Sequence, residues 1–251
     1  MSNRAKLNKE ELKRYSKQIL IKNLGGPGQL KLKNSKIIVI GAGGLGAPVI
    51  MHLSSVGVGC IGIVDFDKVD ISNLQRQFIH NVNSVGLPKV DSAKTFVNQL
   101  NPNILVNTYQ IDVKDKEFKD IISKYDIIVD CTDNFNTRFR VADLCQELEK
   151  PYIFGSVRAF EGQITSILPS NNELKYPKIR DLFDEETLEG DQETCADVGV
   201  LSITTTLVGT IMGGESIKIS LGFDFENTLV GKLLVVDILN NKFETFAYDS
   251  Y

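Results

Sequence analysis

The hexapeptide Gly41-Ala-Gly-Gly-Leu-Gly46 follows an apolar, β-branched run, and Asp65 comes 24 positions after Gly41, at the head of VDFDKVDISNLQRQ. Glycines at this GxGxxG spacing, with Gly43 and Gly44 at its centre, allow a tight turn between a strand and a helix. They also let a phosphate approach backbone N–H groups at the helix N-terminus, where the helix dipole favours negative charge. An acid about 20 residues further on suits a ribose hydroxyl. The alternative is that the glycines only permit close strand–helix packing. The pattern fits NAD, FAD, S-adenosylmethionine or ATP, so it names a class of ligand and no single one.

The residues that follow narrow the choice. Asn73 and Arg76 lie in ISNLQRQFIH, and Lys89 lies in GLPKVDSAK at the start of the next helical pattern. Arg offers a planar fork and Lys a compact charge, both suited to a triphosphate. Such cations stabilise the charge that builds up when a nucleophile attacks phosphorus. Asp67 and Gln77 belong to the same stretch and join the nucleotide-binding candidates. Taken singly, Arg76 and Lys89 read as ordinary surface charges; their grouping after a nucleotide turn argues for more. Asp133, in IIVDCTDNFNTRFR, follows a predicted strand at the edge where open α/β sheets bind ligands. It is suited to Mg²⁺, which takes one or two carboxylates plus phosphate oxygens. Equally, Asp133 or Asn134 is suited to cap the helix beginning near Asn136.

Positioning these groups requires a parallel sheet. Short β-branched runs at Ser35 to Ile40, Cys60 to Asp65, Leu105 to Ile111, Tyr125 to Cys131 and Pro151 to Ser156 alternate with helical patterns at 46–55, 89–100 and 136–148. Parallel strands need crossovers of a dozen or so residues, so the alternation predicts an α/β, Rossmann-like, mostly parallel sheet with helices on both faces. Residues 8–21 predict an amphipathic leading helix through Leu12, Tyr15, Ile19 and Leu20, ended by the Gly-rich GGPGQ. After residue 155 the style changes to a smaller mixed or antiparallel part. GQITSILP reads as a strand, 170–197 as a long polar loop, 199–220 as a helix and 230–248 as a hairpin. One domain over 1–251 is expected, with 1–155 as its nucleotide-binding part and 156–251 as crossover loop, helix and terminal strands. A loop of that length in a compact domain points to a lid or crossover.

Composition removes several classes. The chain has 251 residues and a net charge of −4, which gives no general attraction to nucleic acid or anionic lipid. The weakly polar stretch Val198 to Gly214 is interrupted by Ser202 and three threonines, short of the ~18 unbroken apolar residues of a membrane span. The polar N-terminus lacks the apolar core of a secretion signal, so a cytoplasmic location is expected. Four cysteines without a CxxC pair are expected to be reduced. Two histidines leave little material for a His-based metal site or a His-centred triad.

The segments GAGGLG, DFDKVDISNLQRQ, GLPKVDSA, DCTDN and EGQIT occur in the order and approximate spacing of one family. From about Leu12 to Gly222 the chain resembles the ThiF/MoeB/HesA adenylating enzymes, bacterial relatives of the ubiquitin-activating enzymes. The resemblance implies a nucleotidyltransferase. A small ubiquitin-like sulfur carrier or modifier ending in Gly-Gly would offer its carboxylate to the α-phosphate of ATP, giving an acyl-adenylate and pyrophosphate. Asp65 would bind the ribose, Asn73, Arg76 and Lys89 the phosphates and Asp133 the Mg²⁺, above the Gly41–Gly46 turn. It further implies a homodimer in which the leading helix sends an arginine into the neighbouring site. Lys17 stands at that position here, keeping the charge without the fork, and Arg14 is a possible substitute one turn earlier.

The chain departs from the family where many relatives carry a structural zinc on two CxxC pairs. Lys175 and Lys178 stand at the first pair and ETFAYDSY has no cysteine, so no structural zinc is expected. Cys195, in ETCADVGVL, matches a cysteine that some members use for a covalent link with the sulfur carrier; the alternative is a small buried residue. Two other functions compete. A non-catalytic binding or dimerisation module on the same fold is motivated by Lys17 and the missing zinc ligands. An NAD-dependent oxidoreductase is motivated by the glycines and Asp65 alone.

Overall fold

The chain is described by a computed structural model covering residues 6–170, 175–183 and 199–249. Its centre is one eight-stranded sheet in the order β3-β2-β1-β4-β5-β6-β7-β8. The strands are β1 Lys36–Ile40, β2 Cys60–Val64, β3 Leu105–Tyr109, β4 Ile127–Asp130, β5 Tyr152–Arg158, β6 Glu161–Ile167, β7 Lys232–Asp237 and β8 Lys242–Ala247. The first five are mutually parallel, with Ile38 opposite both Gly62 and Ile128. The last three continue the sheet antiparallel, through Phe154 opposite Thr165 and Gln163 opposite Val235. The mostly parallel α/β sheet with a mixed C-terminal part is therefore the architecture present.

Continuous apolar runs make the parallel strands because both of their faces are buried. Ile37 and Val39 point into one cluster with Ile61, Ile63, Ile127 and Val129. Their alternates Ile38 and Ile40 point into the other with Ile128, Phe118, Phe139 and Tyr125. The first face is covered by α4 Gly46–Val56 and α5 Lys89–Leu100, where Val90, Ala93 and Val97 recur at helical spacing and are all buried. The second is covered by α6 Phe118–Ile122 and α7 Phe135–Glu147.

The leading segment departs from the sequence reading. It breaks at Tyr15 into α1 Lys9–Arg14, held by an Asn8–Glu11 capping box, and α2 Ser16–Ile19. Tyr15 turns inward because its hydroxyl accepts a 2.8 Å hydrogen bond from Asn101 Nδ2, while Leu12 and Leu20 stay exposed. GGPGQ does not terminate helical structure; it opens α3 Gly25–Asn34. Pro27 falls in the first turn, where a missing N–H costs nothing because no partner exists there.

The long helix α8 Ser202–Leu221 packs beside α4 and across β5 and β6. Glu215, 1% exposed in its middle, accepts hydrogen bonds from the Ser166 hydroxyl at 2.9 Å and the Leu229 N–H at 2.7 Å, and pairs with Lys218. One carboxylate thus ties the helix to β6 and to the chain entering β7. Glu215→Ala leaves a buried N–H and hydroxyl unpaired, with an expected loss of about 2–4 kcal/mol read from the urea midpoint.

Candidate active site

From β1 the chain crosses to β2 and β3 on one side of the sheet and returns to β4 on the other. At such a reversal the loops leaving the strand ends diverge and open a crevice. A cavity of about 580 Å³ occupies it. Its walls include Gly41, Gly43 and Gly44 after β1; Asp65, Phe66 and Asp67 after β2; Asn73, Arg76 and Gln77 in the following turn; Lys89 at the start of α5; and Asp133 and Asn134 after β4. Apart from Gly46, just behind the turn, all the nucleotide and phosphate candidates read from the sequence are among them; Phe66 was not one of those candidates.

The turn tolerates no side chain at its two ends. Gly41 has φ +93°, and a β-carbon there would lie 2.8 Å from the Cys131 carbonyl oxygen. A β-carbon on Gly46, the first residue of α4, would lie 1.9 Å from the Gly41 carbonyl oxygen. No side chain caps the N-terminus of α4.

Asp65 is oriented by two backbone donors, the Ala42 N–H on Oδ2 at 2.8 Å and the Asp67 N–H on Oδ1 at 2.9 Å. Lys89, with only 8% of its side chain exposed, donates to Asp67 Oδ2 at 2.8 Å. Arg76 is half-buried, and its Nη1 donates to the Ser72 carbonyl at 3.3 Å. Gln77 is 4% exposed, and its Oε1 has no hydrogen-bond partner among the described residues. Two residues that sequence reasoning passed over stand behind this wall. His80 is buried, with Nε2 2.9 Å from the Ala42 carbonyl and Nδ1 2.9 Å from Ser92 Oγ. Burial holds its pKa below the ordinary histidine value; the Ala42 carbonyl opposes that shift, nearby Lys89 adds to it and Asp65 opposes it.

On the opposite wall Asp130 is fully buried at the end of β4. Its Oδ1 accepts the Thr132 N–H and hydroxyl at 2.9 and 2.7 Å, and its Oδ2 accepts the Tyr152 hydroxyl at 2.7 Å. Arg138, 2% exposed, lies over the adjoining rings of Phe135 and Phe154 and donates to the Thr132 carbonyl at 2.7 Å. Thr132 is held at both ends, which sets the next residue, Asp133, exposed at the cavity. Asn134 caps α7 by accepting the Thr137 N–H at 2.9 Å, so the cap belongs to it and not to Asp133. Cys131 also borders the cavity, but burial, reinforced by Asp130, raises its thiol well above the ordinary cysteine range, which suits packing and not nucleophilic attack. Nothing in the local pattern marks Asp130 or Arg138; a charged residue at an apolar helical position, as at 138, is the one available signal.

Two of the sequence candidates lie away from this cavity. Lys17 is exposed, next to Tyr15, which packs at Gly57 and Asn101 beyond the C-terminal ends of α4 and α5. Eleven residues of α4 put that end roughly 16 Å from Gly46. Arg14 donates to the Leu100 carbonyl at 2.9 Å on the same side. Neither meets the cavity of its own chain. Cys195 lies outside the described residues, as do most of 170–197. Lys175 and Lys178 are described, and Lys178 precedes a short turn at Ile179–Asp181.

Residues 15–250 match the ThiF family. The chain is 44% identical over 241 residues to a probable adenylyltransferase/sulfurtransferase MoeZ of Mycobacterium tuberculosis, covering 96% of this chain and 61% of the relative. It is 39% identical to the SAMP-activating enzyme E1 of Haloferax volcanii, covering 96% and 87%. With the sulfur carrier protein adenylyltransferase of Thermus thermophilus it shares 37% over 236 residues, covering 94% and 86%. Among solved structures, PaaA superposes with a TM-score of 0.80 at 21% identity, covering 100% of this chain and 77% of that one. E. coli MccB with ATP gives a TM-score of 0.78 at 21% identity, covering 94% and 72%. The likeness to these two structures is one of fold.

Proposed function

The chain belongs to the ThiF family, and from that premise we propose that it is an ATP-dependent adenylyltransferase acting on the C-terminal Gly-Gly carboxylate of a small ubiquitin-like sulfur carrier or modifier. Relatives at 37–44% identity carry adenylyltransferase or activating-enzyme names. The chain spans about 61% of the MoeZ-type relatives it matches, and the sulfurtransferase half of their name is not carried over. The observation that carries the reading is the meeting in one cavity of a glycine turn, an oriented carboxylate at Asp65, two cations at Arg76 and Lys89 and an exposed carboxylate at Asp133.

A carboxylate is ionised near neutral pH and attacks the α-phosphorus without a general base. The new bond joins carboxylate oxygen to phosphorus, the bond to the oxygen bridging to the β-phosphate breaks, and pyrophosphate departs with that electron pair. Positioning and charge neutralisation then carry the rate. Asp65 holds the ribose hydroxyls, with both oxygens already aimed by backbone N–H groups. The turn floors the phosphates, and it keeps its shape because a β-carbon at Gly41 or Gly46 would strike the backbone of Cys131 or of the turn itself. Asn73, Arg76 and Lys89 meet the phosphates; Asp67 keeps Lys89 in place, and Gln77 brings a buried acceptor that lacks a partner among the described residues. Asp133 fits Mg²⁺, since that ion takes oxygen ligands such as a single carboxylate alongside phosphate oxygens; Asn134, whose Oδ1 accepts the Thr137 N–H, would serve the nucleotide by donating from its amide nitrogen to a phosphate oxygen. When bound, Mg²⁺ neutralises phosphate charge.

The chain works as one domain over 1–251, in which 1–155 carries the nucleotide groups and 156–251 supplies the crossover, α8 and terminal strands. It acts as a homodimer. Leu12, Leu20 and Ile21 are exposed around Lys17, an apolar patch suited to a second copy that would bring Lys17 to the neighbouring cavity. The free cysteines Cys60, Cys131 and Cys145 fit a reducing, cytoplasmic setting. Cys195 stays a candidate for sulfur handling. ATP–pyrophosphate exchange that depends on a small protein ending in Gly-Gly is the expected result. A folded, ATP-binding protein that supports no exchange with a panel of such partners overturns the reading.

A further inference from the structure

The Ala42 peptide, in the middle of the glycine turn, is held from both sides. Its N–H donates to Asp65 Oδ2 at 2.8 Å, and its carbonyl lies 2.9 Å from His80 Nε2. A carbonyl only accepts, so Nε2 carries the ring proton. In the neutral ring Nδ1 is then an acceptor, and the Ser92 hydroxyl, 2.9 Å away, donates to it. Ser92 sits on α5 three residues after Lys89, on the same helical face, and both are buried. The backbone N–H of His80 donates to the Gln77 carbonyl at 2.9 Å, closing the turn that presents Asn73 and Arg76. The His80 imidazole is therefore bonded to the nucleotide floor and to the helix that begins with Lys89, while its backbone N–H closes the segment that carries Arg76.

We infer that His80 is a positioning residue of the adenylation site: its ring fixes the glycine turn relative to the helix bearing Lys89, so that floor and phosphate cation meet one nucleotide in register. This rests on the adenylyltransferase reading. His80 is separated from the cavity by the residues it ties and does not border it. A rigid ring with a donor on one side and an acceptor on the other sets that spacing; a flexible side chain reproduces one bond at a time. Small misplacements of catalytic groups are costly, up to roughly a hundredfold for about 1 Å.

Three variants separate the two bonds: His80→Ala loses both, His80→Gln keeps a donor at the Nε2 position, and Ser92→Ala loses the tie to α5. MgATP titrated calorimetrically into the full chain reads the floor, and partner-dependent pyrophosphate exchange reads the cation. For His80→Ala, ATP affinity is expected to fall at least about tenfold and the exchange rate with it. For His80→Gln and Ser92→Ala, affinity is expected to stay within about threefold while exchange falls about tenfold. A purely structural role lowers the melting temperature without separating affinity from rate. Imidazole ¹⁵N shifts, with His52→Gln used to assign the two histidines, should show His80 as the neutral Nε2–H tautomer. Wild-type affinity and rate in folded His80→Gln and Ser92→Ala, or an Nδ1–H tautomer, overturns the inference. Should His80→Ala not fold, the other two variants decide. Wild-type protein that binds ATP without any exchange overturns the adenylation reading instead, and the ATP affinity of His80→Ala relative to His80→Gln still tests the tie to the glycine turn.

Discussion

Arg76→Ala is expected to slow acyl-adenylate formation by roughly 10²–10³-fold while ATP still binds within about tenfold of wild type. Its guanidinium donates at 3.3 Å to the Ser72 carbonyl of its own turn. Ser72 is exposed, so water replaces the lost donor and the fold loses no more than about 0.5 kcal/mol. Under the proposed adenylation, the variant therefore reports on charge at the reacting phosphate and not on stability. Arg76→Lys keeps the charge and loses the planar fork, and an intermediate rate is expected. Pyrophosphate exchange and an ATP titration on the same preparations distinguish the cases. An unchanged exchange rate in Arg76→Ala would return Arg76 to the status of a surface charge.

Gly46→Ala is expected to abolish measurable ATP binding and to cost about 2–4 kcal/mol of stability. The added β-carbon would stand 1.9 Å from the Gly41 carbonyl oxygen and 2.9 Å from its carbon. Both are backbone atoms, so no rotamer change relieves the clash and the turn must open. Gly43→Ala is the control: its β-carbon would meet only Gln77 Nε2, at 3.5 Å, an ordinary contact. That variant should keep its melting temperature yet bind ATP more weakly, because the methyl group stands where the nucleotide would lie. Thermal unfolding and calorimetric ATP binding, run on both, test the pair. A Gly46→Ala protein with wild-type melting temperature and ATP affinity would show that the turn has room the structure does not give it.

The strands and the glycine turn were legible because their causes are local. β1, β2 and β4 are short β-branched runs, and burial on both faces asks for that composition with no reference to the rest of the chain. Gly41 and Gly46 are demanded by the turn itself, which a six-residue window contains. Asp65, Arg76, Lys89 and Asp133 were legible as a group because each follows the end of a strand or opens a helix, and parallel topology sends those ends to one edge. The leading segment was misread for a related reason. Its apolar spacing allowed one helix, but Asn101, 86 positions away, decides that Tyr15 turns inward and the helix breaks. GGPGQ looked like a stop because glycine and proline are breakers in helix interiors; at a first turn they are tolerated.

Sequence alone therefore determined the sheet, the turn and several of the groups that face the cavity, since each follows from periodicity or steric need within a few residues; Phe66, Lys114, Arg140 and Thr205, which also line it, left no such mark. Only the tertiary structure decided how those groups are held: His80 between Ala42 and Ser92, Asp130 between Thr132 and Tyr152, Arg138 over two adjoining rings, and Asn134 rather than Asp133 on the helix end. It also put Lys17 on the far side from its own cavity. A buried polar group is stable only with partners, and folding supplies those from any distance along the chain. Periodicity carries no trace of such pairings, so they become visible only when the sheet has brought the segments together.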